Sequence, residues 1–180
     1  MEMDVRRCPD GTWIVFHNRF SRRPLHAAGS QEPVPTVTQA LSFCRSRSAA
    51  VFLDVKEPRH EKELLAVVAR SGWLPKTTVF ASTLSSLRRW RRLLPPGHPL
   101  FWVTGYRAPL TPRRMALARA VPVTGIAAYG RWVHPVSVRR VREARLRLLV
   151  WTARTAAQIR RYAALGVDGI MSEVWPPPSI

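Results

Sequence analysis

The sequence predicts an α/β protein built on parallel strands, and three observations support this fold class. Short apolar runs with the length of buried strands alternate with helical patterns along the chain. About seven strands can be counted, and each but the first is followed by a helix or by the chain end. Polar side chains recur where these strands end, and a barrel gathers such residues at one mouth. A (β/α)8 barrel is therefore favoured over a doubly wound sheet.

The chain opens with residues that predict a β-hairpin. A strand pattern over 2–5 precedes an Asp-Gly turn at 10–11, and an apolar run follows over 13–16. A polar, basic and proline-containing loop is predicted over 19–35, a length more typical of functional loops than of simple connections. Thr36 is the predicted N-cap of the first helix.

The remainder of the chain alternates between strands and helices. Predicted strands are short runs rich in apolar residues, whereas predicted helices carry apolar residues three or four positions apart, and most end at glycine or proline. The strands cover 49–55, 77–81, 99–104, 123–128, 146–152 and 167–171, and the helices cover 60–71, 84–94, 112–120, 135–145 and 156–165. This alternation predicts βα units and a parallel sheet.

The composition restricts the possible classes of protein. A chain of 180 residues that is 46% hydrophobic is long enough for one domain over 1–180 with its own core. No transmembrane helix or secretion signal is recognised, so a cytoplasmic location is expected. Cys8 and Cys44 are too few and too far apart for a disulfide framework or a Cys-x-x-Cys zinc site. Neither a dinucleotide-binding glycine motif nor a Walker loop is present.

The formal net charge of +18 comes almost entirely from arginine. A field of this sign attracts phosphates, so weak association with anionic lipid surfaces or nucleic acid is one hypothesis. The alternative is that arginine, proline, alanine and tryptophan reflect the codon bias of a GC-rich genome. No specific protein partner is predicted. Arginine pairs fall on predicted exposed helix faces at 88–89, 91–92, 139–140 and 160–161.

Two groups of charged residues are candidates for a functional site. Glu2 and Asp4 are two positions apart in a strand, so their side chains share one face, and the hairpin returns His17 to them. Two carboxylates beside an imidazole are the components of a divalent-metal site with an acid/base. Asp54 and Lys56 share a face at the carboxyl end of a buried strand. The plainer interpretations are an edge hairpin with solvated acids and a salt-bridged strand end.

Six segments of the chain, in order, resemble the signature of the glycerophosphodiester phosphodiesterases. The first contains Glu-Met-Asp-Val, Asp-Gly and Val-Phe-His-Asn, and resembles the family's Glu-x-Asp, Asp-Gly and Val-x-His-Asp. The third, Val-Phe-Leu-Asp-Val-Lys, is similar to Leu-x-Ile-Glu-x-Lys, and the last resembles Gly-Val-Asp-Gly-Ile-Ile-Thr-Asp. The six segments lie at 2–18, 34–41, 51–56, 79–82, 149–152 and 166–173.

The resemblance implies a (β/α)8 barrel that hydrolyses glycerophosphodiesters to glycerol 3-phosphate and an alcohol. It also implies a divalent cation, Ca²⁺ or Mg²⁺, held by Glu2, Asp4 and Asp54, whose hard oxygens suit such an ion. His17 would transfer a proton beside this cation.

The resemblance assigns two further residues to substrate binding. Lys56 would pair with the phosphate charge, and Trp151 would form a wall of the cleft beside the glycerol moiety. Packing alone is the simpler interpretation of Trp151, since aromatic side chains are common at barrel mouths.

The sequence departs from the family pattern in three places. Asn18 stands where the family has aspartate, and Asp54 stands where it has glutamate. The family's opening strand with His-Arg-Gly, and the helix that follows it, have no counterpart, so the barrel is expected to be N-terminally incomplete. Three explanations remain open: a start codon further upstream, a partner chain that completes the barrel, or a degenerate relative. The last would be a catalytically impaired barrel that binds phosphorylated or polyanionic partners through its arginines.

Overall fold

The computed structural model describes residues 1–17 and 34–174, which divide into two compact units. The first unit consists of residues 1–81 and 92–99, and the second of residues 82–91 and those from 100 onwards. Asn18 and nearly all of the loop predicted over 19–35 lie outside the described residues. The expectation of a single domain stays a prediction.

The first unit contains four hydrogen-bonded strands in the order β2-β1-β3-β4. These are β1 (Glu2–Arg7), β2 (Trp13–Val15), β3 (Val51–Val55) and β4 (Thr77–Ala81). β1 runs antiparallel to β2 and parallel to β3, which in turn is parallel to β4. The predicted opening hairpin is confirmed, and Gly11 enables its turn because φ there is +89°.

Two α-helices belong to the first unit, α1 (Val37–Ser46) and α2 (Glu61–Arg70). The predicted N-cap of α1 is confirmed: the Thr36 hydroxyl accepts from the Gln39 backbone N–H at 3.2 Å, and Gln39 Oε1 accepts from the Thr36 N–H at 2.8 Å. This reciprocal capping box fixes the start of the helix. Leu41 and Leu64 are fully buried and anchor the two helices in the core.

The second unit contains β5 (Leu100–Val103), β6 (Gly125–Tyr129), β7 (Arg147–Ala153) and β8 (Gly169–Ser172). Neighbours in the order β5-β6-β7-β8 are parallel. A Cβ at Gly125 would overlap the Arg147 carbonyl, so only glycine permits the close approach of β6 to β7.

Four α-helices accompany these strands: α3 (Leu84–Leu93), α4 (Pro112–Ala120), α5 (Pro135–Glu143) and α6 (Ala156–Ala164). Leu87 and Trp90 of α3 are buried, which confirms that they pack in the core as their helical spacing predicts. The order of strands and helices is the predicted one, with element ends shifted by a few residues.

Three expectations from the sequence can be compared with the described residues. Seven strands run parallel to a neighbour and β2 is antiparallel, in agreement with the predicted count. Cys8 and Cys44 are both buried free thiols. Within 1–17 and 34–174, no helix is long and apolar enough to cross a membrane.

Candidate active site

Three carboxylates converge on one face of the first unit. The parallel register of β1 and β3 places Asp4 directly beside Asp54, and Glu2 lies two positions before Asp4 on the same face of β1. One oxygen from each of the three side chains lies within 4.8 Å of the others. The structure therefore brings together the three acids that the sequence singles out, while their role as metal ligands stays a prediction.

The hairpin carries His17 back to this cluster. The Phe16 backbone N–H donates to the Asp4 carbonyl at 2.9 Å, which holds the end of the hairpin against β1. His17 Nδ1 lies 2.5 Å from Asp4 Oδ2, while 78% of the His17 side chain is exposed. The imidazole is thus held at one nitrogen by an acid of the cluster and otherwise faces solvent.

Arg6 is a site residue that the sequence interpretation missed. Its Nε and Nη2 donate to the His17 carbonyl at 3.2 and 2.9 Å, and its Nη1 pairs with Glu57 Oε1 at 2.9 Å. Arg6 is only 9% exposed. The strand alternation that joins Glu2 and Asp4 on one face also extends to Arg6, and this was the available signal.

Lys56 binds the acids directly. Its Nζ lies 2.7 Å from Asp4 Oδ1 and 2.5 Å from Asp54 Oδ2. This is the salt-bridged strand end that the sequence offers as the plainer interpretation. The predicted pairing of Lys56 with a substrate phosphate stays a prediction. Three ionised carboxylates and one ammonium leave two negative charges, which is the charge that one divalent cation neutralises.

The electrostatics of the cluster show the cost of crowding these acids. Burial raises the pKa of Glu2 to about 7, and the charges of Asp4 and Asp54 add to this effect, although much of the Glu2 residue is exposed. Burial is also the main cause of the raised pKa of Asp54. A carboxylate that resists ionisation beside two others is the environment in which a bound cation is stabilising.

Lys56 and His17 moderate this repulsion. Burial opposes ionisation of Asp4, but hydrogen bonds from Lys56 and His17 outweigh it and hold the Asp4 pKa below its usual value. Burial alone would lower the pKa of Lys56, whereas Asp54 and Asp4 raise it overall, so Lys56 remains a cation. The oxygen-only donor set and its residual charge both fit a divalent metal ion.

Trp151 belongs to the second unit, near the carboxyl end of β7. Its Nε1 donates to the Ala127 carbonyl at 3.1 Å, and its ring lies against Tyr106 and Tyr129, with centroids 4.9 and 5.3 Å away. These contacts give Trp151 a packing role and also place it in the wall of a cavity. Its predicted place beside the glycerol moiety stays a prediction.

Alternating strands and helices, with an acid cluster on β1 and β3, are typical of α/β-barrel proteins, and the cluster is a candidate metal site. The model of the glycerophosphoryl diester phosphodiesterase family matches residues 28–174. The chain therefore belongs to this family, as the six sequence segments predict. The matched range includes Asp54, Lys56 and Trp151 but begins after Glu2, Asp4 and His17.

One relative with a known family supports this assignment. Glycerophosphodiester phosphodiesterase GDPD4 of Arabidopsis thaliana is 24% identical over 205 residues, with 96% of this chain covered. The chain spans 61% of the length of that relative.

Solved structures establish the fold class. A glycerophosphodiester phosphodiesterase from Parabacteroides distasonis is similar with a TM-score of 0.78 at 17% identity, covering 96% of this chain and 78% of the other. A phosphodiesterase from Oleispira antarctica, solved with its product sn-glycerol-3-phosphate, gives a TM-score of 0.78 at 16% identity, covering 95% and 79%. The predicted (β/α)8-barrel class is confirmed.

Proposed function

We propose that this protein hydrolyses glycerophosphodiesters to glycerol 3-phosphate and an alcohol, with a divalent cation, Ca²⁺ or Mg²⁺, held by Glu2, Asp4 and Asp54. The observation that carries the proposal is the approach of the three carboxylates to within 4.8 Å, with His17 bonded to one of them. Family membership supports the reaction class, and the acid cluster supports the need for a cation.

The bound cation would supply Lewis acidity, drawing charge from the phosphoryl oxygens of the substrate. The three carboxylates that would hold it already lie close together. The register of β1 and β3 places Asp4 beside Asp54, and Lys56 forms an ion pair with both. Beside the substrate, the Lys56 ammonium would attract the phosphate while keeping its contact with at least one of the two aspartates.

His17 would move the proton. With Nδ1–H donated to Asp4, the neutral imidazole presents Nε2 as an acceptor on its exposed side. There Nε2 would take a proton from the water molecule that attacks phosphorus as the new P–O bond forms. The alcohol oxygen on the opposite side would leave as its P–O bond breaks and take a proton from solvent, and the imidazolium, stabilised by Asp4, would release its proton to solvent. Arg6 would hold the His17 backbone in place during both transfers.

Release of glycerol 3-phosphate from glycerophosphoglycerol tests this proposal. We expect release with Mg²⁺ or Ca²⁺, none with EDTA, and a loss of about 100-fold or more in kcat for His17→Gln, as is usual for a general acid/base. His134→Gln is the matched control, because His134 is exposed in the second unit, and should change kcat less than about twofold. EDTA-resistant activity, or full activity of His17→Gln, would contradict the proposal.

One observation favours a second function, association with polyanions. Between residues 100 and 180 the sequence contains thirteen arginines but only three acidic residues, Glu143, Asp168 and Glu173. We propose that this part of the chain binds anionic surfaces whether or not the barrel is active. The fraction of protein that sediments with phosphatidylglycerol vesicles should fall steeply as the salt concentration rises from about 50 to 300 mM. Binding that does not depend on salt would exclude the proposal.

A further inference from the structure

The first unit contains an open pocket of about 440 Å³ at the carboxyl ends of β1 and β3. Arg6 and Arg7 end β1, and residues 56–58 directly follow β3, which is parallel to β1. In barrels of this class, this is the end at which substrates bind. The charged side chains of the lining, together with one imidazole, are Arg6, Arg7, Lys56, Glu57 and His60.

The pocket adjoins the acid cluster within the same unit. Lys56, one of its lining residues, places Nζ 2.7 Å from Asp4 Oδ1 and 2.5 Å from Asp54 Oδ2. Arg6, another lining residue, donates to the His17 carbonyl. A phosphodiester at the cluster can therefore reach the pocket with one of its two ester arms. The volume lies in the range of small-ligand pockets and exceeds what the three carbons of a glycerol arm fill, so the pocket suits the alcohol arm.

Arg7 keeps part of its guanidinium group available for a ligand. Its Nε donates to Glu63 Oε2 at 2.7 Å, whereas Nη1 and Nη2 have no hydrogen-bond acceptor among the described residues. A Cβ at Gly11 would lie 3.3 Å from Arg7 Nη2, so the glycine leaves room for the guanidinium beside the hairpin turn. The N–H groups of Nη1 and Nη2 form a planar fork that matches the two oxygens of a carboxylate.

Glu63 holds two side chains of the pocket from outside its lining. Its Oε2 accepts from Arg7, and its Oε1 lies 3.0 Å from His60 Nδ1. Each oxygen of the carboxylate thus contacts one side chain of the wall before any ligand arrives. Side chains that are already oriented lose less conformational entropy when a ligand binds.

The remaining charges of the lining determine which anion fits. Arg6 pairs with Glu57 and Lys56 pairs with two aspartates, so Arg7 is the cation of the lining whose donors stay unpaired among the described residues. Glu57 binds Arg6 through Oε1, and 34% of its side chain is exposed. A carboxylate in the lining repels a doubly charged phosphate more than a singly charged carboxylate, and its second oxygen is an acceptor for an ammonium group.

We propose that this pocket receives the alcohol part of the substrate and selects glycerophosphodiesters whose headgroup carries a carboxylate. The proposal rests on the proposed function, because the phosphodiester must lie at the acid cluster for its alcohol part to enter the pocket. Arg7 would bind the carboxylate through Nη1 and Nη2, and Glu57 would accept from an ammonium on the same headgroup. A serine headgroup carries both groups.

A pair of substrates that differ only in the carboxylate tests this selection. At about 50 mM salt, where screening is weak, we expect kcat/KM for glycerophosphoserine to exceed that for glycerophosphoethanolamine at least about fivefold. Arg7→Gln should reduce this ratio at least about threefold, and Arg7→Met, which keeps the apolar stem, is a second variant with the same expectation. Arg70→Gln is the matched control, since it removes the same charge from an exposed position of α2 outside the lining, and should keep the wild-type ratio.

Equal kcat/KM values for the two substrates in the wild type, or an unchanged ratio in both Arg7 variants, would overturn the proposal. A ratio that falls as far in Arg70→Gln as in Arg7→Gln would also overturn it, because the overall charge and not the pocket would then select the substrate. The same holds if glycerophosphoglycerol is hydrolysed and glycerophosphoserine is not.

If none of the three substrates is hydrolysed with Mg²⁺ or Ca²⁺, the proposed function has failed and the pocket is judged by binding. Calorimetric titration with glycerophosphoserine should then show at least about threefold weaker binding to Arg7→Gln than to Arg70→Gln. Equal affinities of these two variants would overturn the proposal in that case.

Discussion

Glu2→Gln is predicted to stabilise the cation-free protein at about pH 8 and to leave its stability at about pH 4 nearly unchanged. Burial and the charges of Asp4 and Asp54 raise the Glu2 pKa from 4.5 to about 7 in the folded protein. The folded state therefore binds this proton more tightly than the unfolded state does. Ionisation of Glu2 disfavours folding, with a cost that begins as the pH rises above 4.5 and is complete above about 7.

The size of the effect follows from the same shift. At about 1.4 kcal/mol per pKa unit, a rise from 4.5 to about 7 corresponds to roughly 3.5 kcal/mol. Because much of Glu2 is exposed, solvent screening reduces this value, and we expect a gain of about 1 to 2 kcal/mol in the free energy of unfolding for Glu2→Gln at about pH 8.

Urea unfolding in EDTA at both pH values measures this difference. Glu143→Gln is the matched control, because Glu143 is an exposed acid of α5, and it should change the free energy of unfolding by less than about 0.5 kcal/mol. Saturating Mg²⁺ or Ca²⁺ should reverse the order of wild type and Glu2→Gln, since a cation at about 100 times its Kd adds about 2.7 kcal/mol to the protein that binds it. A variant that loses equal stability at both pH values would refute the reasoning.

Four further predictions concern single residues. Asp54→Asn should weaken Mn²⁺ binding, measured by calorimetry, at least about tenfold, and unchanged affinity would remove Asp54 from the cation site. Arg6→Ala should lower kcat at least about tenfold with Mn²⁺ affinity retained, and added guanidinium should restore part of the activity; no rescue would mean that Arg6 does not position His17. Trp90→Ala should cost about 3 to 5 kcal/mol of stability in urea unfolding, because the ring is fully buried, and a cost under about 1 kcal/mol would contradict that burial. Thr36→Ala should cost about 1 kcal/mol through loss of the capping box, whereas no change would mean that the cap does not stabilise α1.

The elements of the fold were predictable because their signals are local. Pro112 and Pro135 stand at the first positions of α4 and α5, where the missing N–H costs nothing. The element ends were less accurate. The last strand begins at Gly169 and not at the predicted residue 167, and just before it Asp168 pairs with Leu148 through its carboxylate, which accepts the Leu148 N–H at 2.8 Å, and through its own N–H.

The site was predictable in composition but not in its detailed contacts. Alternation along β1 places Glu2 and Asp4 on the same face. Only the register between β1 and β3 decides which residue of β3 lies beside Asp4. The contact of Arg6 with the His17 carbonyl was missed because every residue has a carbonyl, so the sequence carries no mark of this acceptor. Whether Lys56 pairs with the acids or with a phosphate also depends on which groups lie near it in the fold, and the sequence does not give this.

Diffraction from crystals soaked in Mn²⁺ tests the central claim most directly. The claim is that Glu2, Asp4 and Asp54 share a single divalent cation. It predicts one anomalous peak within about 2.6 Å of an oxygen from each of the three carboxylates, with Lys56 drawn away from at least one aspartate. The claim would be contradicted if no Mn²⁺ lay among the three acids while Lys56 still bridged Asp4 and Asp54.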